Sequence, residues 1–487
     1  MLVAKQGILE KNFNRNKMTK IKNSIPFILL LVVFTACNII KDITKPAAPL
    51  PENFRNAATA DTNSIADVQW KEFFTDASLQ KLIDRAIVKN YDMQLALKNI
   101  ETAQLILKQT KWAYLPNAAL QATVNSNRPS DNSLNGLSAK SFLGTTHVED
   151  YSANIALSWE ADIWGKIKNQ KSGALAAYLQ TEEAKKAIQT NIVASVAQGF
   201  YNLLMLDAQL AIARKNIVLN DSTLRIIRFQ FTAGQVTALA FQQAEAQQLT
   251  AAALIPQLEQ EIVIQENALS ILAGELPDSI QRNILLSNVN MDNSLSAGVP
   301  SSLVSRRPDV RNYELALVRA NAGVSIAKAN MYPTLNITAG GGVNSFRATN
   351  WFNVPASLFA VVAGGIVQPL FQKKQLTTAY EIAKVEREKT VIEFRQSVLY
   401  AIGEVSDALA KMDKLKTAQS LTTLRVNTLQ KAIANANMLF ASGMANYLEV
   451  ITAQSNVLQS ELELAAIKRE QLGARVELYR SLGGGWK

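Results

Sequence analysis

Tyr151-Ser-Ala-Asn-Ile-Ala-Leu-Ser-Trp-Glu160 puts Tyr151, Ala153, Ile155, Leu157 and Trp159 on one side of an extended chain and Ser152, Asn154, Ser158 and Glu160 on the other. Side chains of a strand alternate between faces, so this period of two predicts a strand with one apolar and one polar surface. Leu335, Ile337, Ala339, Gly341 and Val343 alternate likewise with Thr334, Asn336 and Thr338. With the segments that pair with them, four strands are expected, at 117–126, 151–160, 334–346 and 356–367. A strand tilted across a bilayer needs about 9 to 11 residues, apolar outward and polar inward. The last strand is apolar on both faces, and Pro355 and Pro369 leave it too short for a spanning helix. Four strands cannot close a barrel, and hydrocarbon tolerates no open sheet edge. Several chains must therefore each donate four strands.

The sequence around these strands repeats itself. Asp92, Ala103, Lys111 and Pro116 recur 217 residues later as Asp309, Ala320, Lys328 and Pro333. Ile163-Trp-Gly-Lys166 matches Leu370-Phe-Gln-Lys373 at an offset of 207, and Phe231-Thr-Ala-Gly234 matches Phe440-Ala-Ser-Gly443 at 209. Leu272-Ala-Gly274 answers Leu482-Gly-Gly484. Such self-similarity means one structural unit used twice, expected at 68–275 and 305–487 with 276–304 as an equatorial linker. Each unit reads as a moderate helix, two strands and two long helices, the latter at 165–231 and 237–273, then 373–440 and 446–482. No proline lies between Pro129 and Pro256 or beyond Pro369, and an internal proline would cost a helix a hydrogen bond and a clash. Val196, Leu203, Leu210, Ile217, Leu224 and Phe231 are spaced by seven, and Val405, Met412, Gln419, Val426, Ile433 and Phe440 repeat the row. A strict seven-residue period predicts left-handed coiled coils. The stretch from Gly165 to Phe231 would extend roughly 100 Å at about 1.5 Å per residue.

The N-terminus reads as an export signal. Lys20 and Lys22 precede the apolar run from Ile25 to Ala36, which has signal-peptide form and is too short for a permanent span. Met18 opens a more usual signal length than Met1. Phe34-Thr-Ala-Cys37 resembles a lipobox, so residues 1–36 are expected to be removed and Cys37 to carry S-diacylglycerol and N-palmitoyl chains. Residues 37–67, with Pro46, Pro49 and Pro51, suit an extended tether for that lipid.

Composition narrows the function. Of the formal net charge of +10, half lies in residues 1–36, where six Lys/Arg meet one acid, Glu10. The remaining excess is mild and dispersed and does not favour nucleic acid. With Cys37 and His147 as the sole cysteine and histidine, no disulfide within the chain and no Cys/His zinc cluster can form. No phosphate loop and no nucleophile beside a histidine is present, so neither an enzyme nor a cofactor or metal is expected. His147 reads as a solvated residue of the loop between the first two strands.

Taken together these marks resemble the TolC-like family of outer-membrane efflux channels, in the lipoprotein branch that serves resistance-nodulation-division pumps. The resemblance runs from Cys37 to Trp486 and rests on Trp70-Lys-Glu-Phe-Phe-Thr-Asp-Ala-Ser-Leu79, Tyr114-Leu-Pro-Asn117, Asp162-Ile-Trp-Gly-Lys166, Ser305-Arg-Arg-Pro-Asp-Val-Arg311 and Tyr479-Arg-Ser-Leu-Gly-Gly-Gly-Trp486. It implies a mixed α and β membrane protein and a homotrimer. Four strands per chain would complete a 12-stranded barrel in the outer membrane, continued through the periplasm by an α-helical coiled-coil barrel. The implied partners are a periplasmic adaptor, an inner-membrane efflux transporter and outer-membrane lipid. The implied work is passive conduction, with drugs, metal ions and protein as alternative cargoes.

The resemblance also directs attention to the two helix-loop-helix turns, Phe231–Leu239 and Phe440–Leu448, as the periplasmic gate and adaptor-docking tips. Gly234, Gln235 and Thr237 fall in the first, and Gly443, Met444 and Asn446 in the second, with Glu449 just beyond. Family members often carry Asp after these turns, where this chain has Ala240 and Thr452. Glu449 then reads either as one carboxylate of a threefold ring or as a solvated helix-surface residue, and Glu245 lies farther along the first turn's helix. Arg306, Arg307, Asp309 and Arg311 are expected to be structural, with Pro308 and Asp309 opening a helix. Trp159, Trp164, Trp351 and Phe371 suit either an interfacial belt or junction packing. A periplasmic structural lipoprotein and a lipid-anchored enzyme are the competing classes.

Overall fold

The computed structural model describes residues 51, 54, 55, 64–290, 297, 298 and 300–487. The signal segment, Cys37 and most of the expected tether lie outside the described residues. In chain order the principal elements are α1 (Ala77–Lys89), α2 (Tyr91–Trp112), β1 (Asn117–Asn127), β2 (Val148–Ala161), α3 (Lys166–Thr232), α4 (Ala238–Leu272), α5 (Pro308–Ala329), β3 (Thr334–Ser345), β4 (Leu358–Val367), α6 (Gln375–Ala441) and α7 (Tyr447–Ser481). No described helix is long and apolar enough to cross a membrane. Two compact units emerge: one holds Leu105–Ala176 and Val318–Lys389, the other Ala177–Leu317, Thr390–Lys487 and the described residues up to Gln104.

The duplication is exact in the lengths of its paired helices. Helices α2 and α5 both have 22 residues, α3 and α6 both 67, and α4 and α7 both 35. Helices α2 and α5 begin 217 residues apart, whereas α3 and α6, and α4 and α7, begin 209 apart. This corrects two sequence matches. The offset of 207 at the strand-to-helix junction is replaced by 209, so that Gly165 (φ 71°) corresponds to Lys374 (φ 63°), both in the left-handed region. Leu272 corresponds to Ser481, and Gly274 to Gly483. A Cβ on Gly274 would lie 2.3 Å from the Lys89 carbonyl oxygen, and one on Gly483 2.8 Å from that of Arg306. At both chain positions the return helix can end only on a residue without a side chain.

The four strands form one antiparallel sheet in the order β1-β2-β3-β4. Its register carries the predicted alternation across the whole sheet. Leu120 pairs with Ile155, Ile155 with Gly341 and Gly341 with Ala360, so one surface collects Leu120, Val124, Ile155, Leu157, Ile337, Leu358, Val362 and Ile366. Leu120 is 81% and Val362 80% exposed within the single chain. The other surface carries Gln121, Thr123, Asn125, Asn154, Ser158, Asn336 and Thr338, interrupted on β4 by Phe359, Val361 and Val367 and at the start of β2 by Val148. Aromatic rings sit at both ends of the sheet. Trp159 donates its ring N–H to the Tyr114 carbonyl at 2.9 Å, and Trp164 donates to Pro333 at 2.6 Å while stacking on Tyr332. At the far end Trp351 lies 5.5 Å from Tyr151. Phe371, by contrast, is 88% exposed.

In the other unit, Leu79, Leu82 and Ile83 of α1 pack with Phe200, Leu203 and Leu204 of α3 and with Leu478, Tyr479 and Leu482 at the end of α7. Burial raises the Tyr201 and Tyr479 hydroxyls to about 12. The predicted heptad row on α3 holds only at its start. Val196 and Leu203 are fully buried, Leu210, Ile217 and Leu224 are half-buried, and Phe231 is exposed. Toward the turn the buried positions are Leu206, Ala213, Asn216, Asn220, Thr223 and Ile227. These positions follow one another at spacings of three, four and seven, so burial toward the turn keeps a heptad pattern in a register offset by three residues from the predicted row. The second row keeps its seam at Val426, Ile433 and Phe440. Pro256 stands inside α4.

Candidate gate and docking tips

Helix α3 ends on a Schellman-type turn. Gly234 (φ 72°) donates to Phe231 O at 2.9 Å and Gln235 to Gln230 O at 2.8 Å, which satisfies carbonyls left open by the helix end. Thr237 then caps α4, its hydroxyl accepting from the Ala240 N–H at 3.3 Å. The second turn copies this course with different residues. Gly443 (φ 77°) donates to Phe440 O at 3.1 Å and Met444 to Leu439 O at 2.8 Å. Asn446 caps α7 by accepting from the Glu449 N–H at 3.1 Å, and the Glu449 carboxylate accepts the Asn446 N–H at 3.2 Å.

Glu449 is therefore half of a reciprocal capping box, a role neither sequence reading gave it. The signal was present as Asn446-x-x-Glu449 before an apolar position. Gln235, Thr237, Met444, Asn446 and Glu449 are all exposed. Ala240 is fully buried, so a carboxylate at that position would be forced into the turn's core.

The two turns come together. Ile227, Ala240 and Ala244 of the first hairpin pack with Phe440 and Val450 of the second, and the Tyr447 hydroxyl donates to Gln243 Oε1 at 2.8 Å. Phe231 stacks on Phe241 at 5.9 Å, with Arg228 over the same ring. Farther from the turns the seam between α3 and α7 is polar. Asn220 donates to Asn216 at 2.6 Å, Asn216 to the Gln454 carbonyl at 3.5 Å, and Gln454 to Thr223 Oγ1 at 2.8 Å. Among the described residues Gln454 Oε1 has no hydrogen-bond partner, although it is buried. Sequence reasoning missed this layer because polar residues at heptad positions looked like solvent-facing ones.

The basic cluster of the second repeat is structural. Arg307 is 5% exposed and donates to both Asp309 oxygens, to Glu404 at 2.7 Å and to the Ser481 carbonyl at 3.0 Å. Burial opposes its charge, yet the two carboxylates keep its pKa raised. Arg306 pairs with Asp67 and Arg311 with Glu314. An analogous knot that the sequence did not reveal joins Arg282 of the linker to Asp207 and Glu266, both at 2.5 Å. The hydrogen bonds that Arg282 donates to Asp207 raise its pKa despite burial. His147 is exposed in its loop. Among the described residues no group of three His, Cys, Asp or Glu side chains is placed to hold a metal.

The sequence profile of the outer membrane efflux protein family matches residues 82–275 and 299–484. The chain is 27% identical over 469 residues to the cation efflux system protein CusC of Escherichia coli K12, covering 95% of this chain and 99% of that one. It is 28% identical over 471 residues to the solvent efflux pump outer membrane protein SrpC of Pseudomonas putida, covering 95% and 98%. A crystal structure of CusC superposes with a TM-score of 0.82 at 25% identity, over 92% of this chain and all of that one.

Proposed function

The chain belongs to the outer membrane efflux protein family, and on that premise we propose that three copies close a 12-stranded barrel and form the exit duct of a tripartite pump. It is an outer-membrane efflux channel. The sheet carries this reading: one surface is largely apolar, the other is mostly amide and hydroxyl on β1 to β3, and the outer edges of β1 and β4 pair with no further strand among the described residues. Lipid covers the first surface, water fills the space behind the second, and each open edge pairs with the next copy. Three times four strands gives an even count within the bacterial range.

The pump's periplasmic adaptor docks on the paired turns, where Gln235, Thr237, Met444 and Asn446 are exposed over a shared apolar core. The inner-membrane transporter supplies the energy, and the duct conducts passively. Relatives named for cations and for solvents lie at nearly equal identity, which fits a duct whose cargo is chosen by the transporter behind it. Cys37 carries the lipid that anchors the N-terminus to the outer membrane.

The test is to purify the protein from outer membranes and reconstitute it in planar bilayers. A trimer with ion conductance is expected, and a monomer without conductance overturns the reading. Radiolabelled palmitate should mark the wild type and not Cys37→Ala; equal labelling of both removes the lipid anchor.

A further inference from the structure

We propose that the protein binds anionic phospholipid headgroups of the periplasmic leaflet through a band of lysines at the helix-side end of its sheet. This deepens the outer-membrane reading and rests on it. Four segments, all in one compact unit, adjoin that end of the sheet. Residues 105–116 and 322–333 close α2 and α5 and lead into β1 and β3, while residues 160–176 and 369–385 leave β2 and β4 and open α3 and α6. Together they hold nine Lys, no Arg and three acids, an excess of six. The chain beyond residue 36 has an excess of only five, so a net charge that looks dispersed along the sequence collects at one level of the fold. The far end of the sheet, residues 127–150 and 345–357, is balanced at three bases against three acids.

Little within the chain claims these charges. Lys166 pairs with Glu160 and Lys384 with Glu381. Lys108, Lys111, Lys168, Lys171, Lys373 and Lys374 are exposed, and their ammonium groups make no hydrogen bond or ion pair among the described residues. The two strand-to-helix junctions differ in the same direction. At the first, the Asp162 carboxylate accepts from the Ile167 and Lys168 N–H groups, Trp164 stacks on Tyr332, and Gly165 takes the left-handed turn. The residues 209 onward are Phe371, Lys373 and Lys374. Lys373 (φ 48°) and Lys374 (φ 63°) both stand in the left-handed region, where a side chain carries a steric cost that glycine avoids. No hydrogen bond or ion pair of their side chains within the described residues offsets that cost.

Apolar side chains carry the lipid-facing surface into this band. Ile366 of that surface is 73% exposed, and just beyond it Leu370 and Phe371 are 90% and 88% exposed. Trp112, next to Lys111, is 70% exposed. Rings and long side chains with a polar tip suit the border between hydrocarbon and headgroups. Lys111, Lys373 and Lys374 stand within seven residues of a strand end, nearest the headgroup layer, which is about 5–8 Å deep on each side of a bilayer. The other lysines add to the attraction, since charge acts over a Debye length of about 8 Å. The occupant that this chemistry fits is a lipid whose acyl chains lie on the sheet and whose net-negative phosphate headgroup meets the ammonium groups.

The test titrates the purified full-length protein in detergent with dioleoylphosphatidylglycerol and, separately, with dioleoylphosphatidylcholine, and reads bound lipid by native mass spectrometry. The two lipids share their acyl chains, so apolar contact cancels. Wild type is expected to retain the anionic lipid in preference, and the preference should shrink as salt rises. Lys373→Gly/Lys374→Gly should lower the preference by at least about fivefold, the worth of one lysine at an anionic surface. The same variant should melt no earlier than wild type, because glycine relieves two left-handed residues. Lys431→Gln, which changes an exposed lysine near the other end of α6, should leave the preference unchanged. Equal retention of both lipids by a conducting wild-type trimer overturns the proposal, as does a preference that the double variant keeps or that Lys431→Gln loses equally. A monomer without conductance overturns the duct reading, and this proposal with it.

Discussion

In the first half of the chain buried Asn90 donates to the Leu272 carbonyl at 2.9 Å; in the second half Arg307, its counterpart, donates to the Ser481 carbonyl at 3.0 Å. Both bonds tie the start of a 22-residue helix to the last turn of a 35-residue one. Their surroundings differ: Asn90 needs only the Met93 N–H as a second partner, whereas Arg307 also requires Asp309 and Glu404. The turns diverge in the same sense. Thr237 caps alone at 3.3 Å above a buried Ala240, while Asn446 caps reciprocally with Glu449. Duplication has kept the backbone destination of each bond and let the donor change. The second half reaches with charge what the first reaches with neutral groups.

That contrast can be broken experimentally. Arg307→Ala removes a buried guanidinium with its bonds to two carboxylates and leaves the Ser481 carbonyl unsatisfied, so it should cost more than the about 1–3 kcal/mol expected when Asn90→Ala leaves the Leu272 carbonyl unsatisfied. Equal losses in thermal unfolding would mean the carboxylates add nothing distinctive.

Acid should act on the second half in the same way. Burial pushes the Asp309 carboxyl up, but the hydrogen bonds and charge of Arg307 outweigh it and hold it below its ordinary value of 3.8. A carboxyl depressed on folding contributes fully above its unfolded pKa and loses that contribution as pH falls through the folded one. Asp309→Asn should therefore flatten the acid limb of the stability profile, and an unchanged limb would remove Asp309 as its source.

Smaller effects sharpen the comparison of the turns. Asn446→Ala should cost about 1 kcal/mol, with Thr237→Ala costing less because its bond is longer and unreciprocated. The reverse order in unfolding experiments would show that the capping box is idle. Glu449→Ala removes half of that box, and the loss should be a few tenths of a kcal/mol, about the size of an exposed helix-end interaction. Its conductance and cation selectivity should match wild type if capping is its whole role; reduced selectivity would restore the ring of three carboxylates.

Much of this was legible in the sequence, where physics acts locally. Alternation from Tyr151 to Glu160 announces a strand because side chains there have only two directions. Gly234 and Gly443 announce helix ends because only glycine takes a left-handed turn without strain. The seam of α3 was not legible past Leu203, because burial moves to rows whose members include Asn216, Asn220 and Thr223. Nor was the kinship of Asn90 and Arg307, since two unlike side chains can serve one carbonyl and a residue-by-residue match sees only the unlikeness. The Glu449 box was legible but was read for its charge before its hydrogen bonds.

The equal lengths of the paired helices carry an engineering consequence. Because Ile227, Ala240, Phe440 and Val450 share one small core, both hairpins must finish level, like pipe staves cut to one gauge. A seven-residue deletion in one hairpin alone would leave a step at the rim and split that core, while matched deletions in both would shorten the tube and keep its mouth flush. Changes in reach between such ducts should therefore arrive in doubled indels.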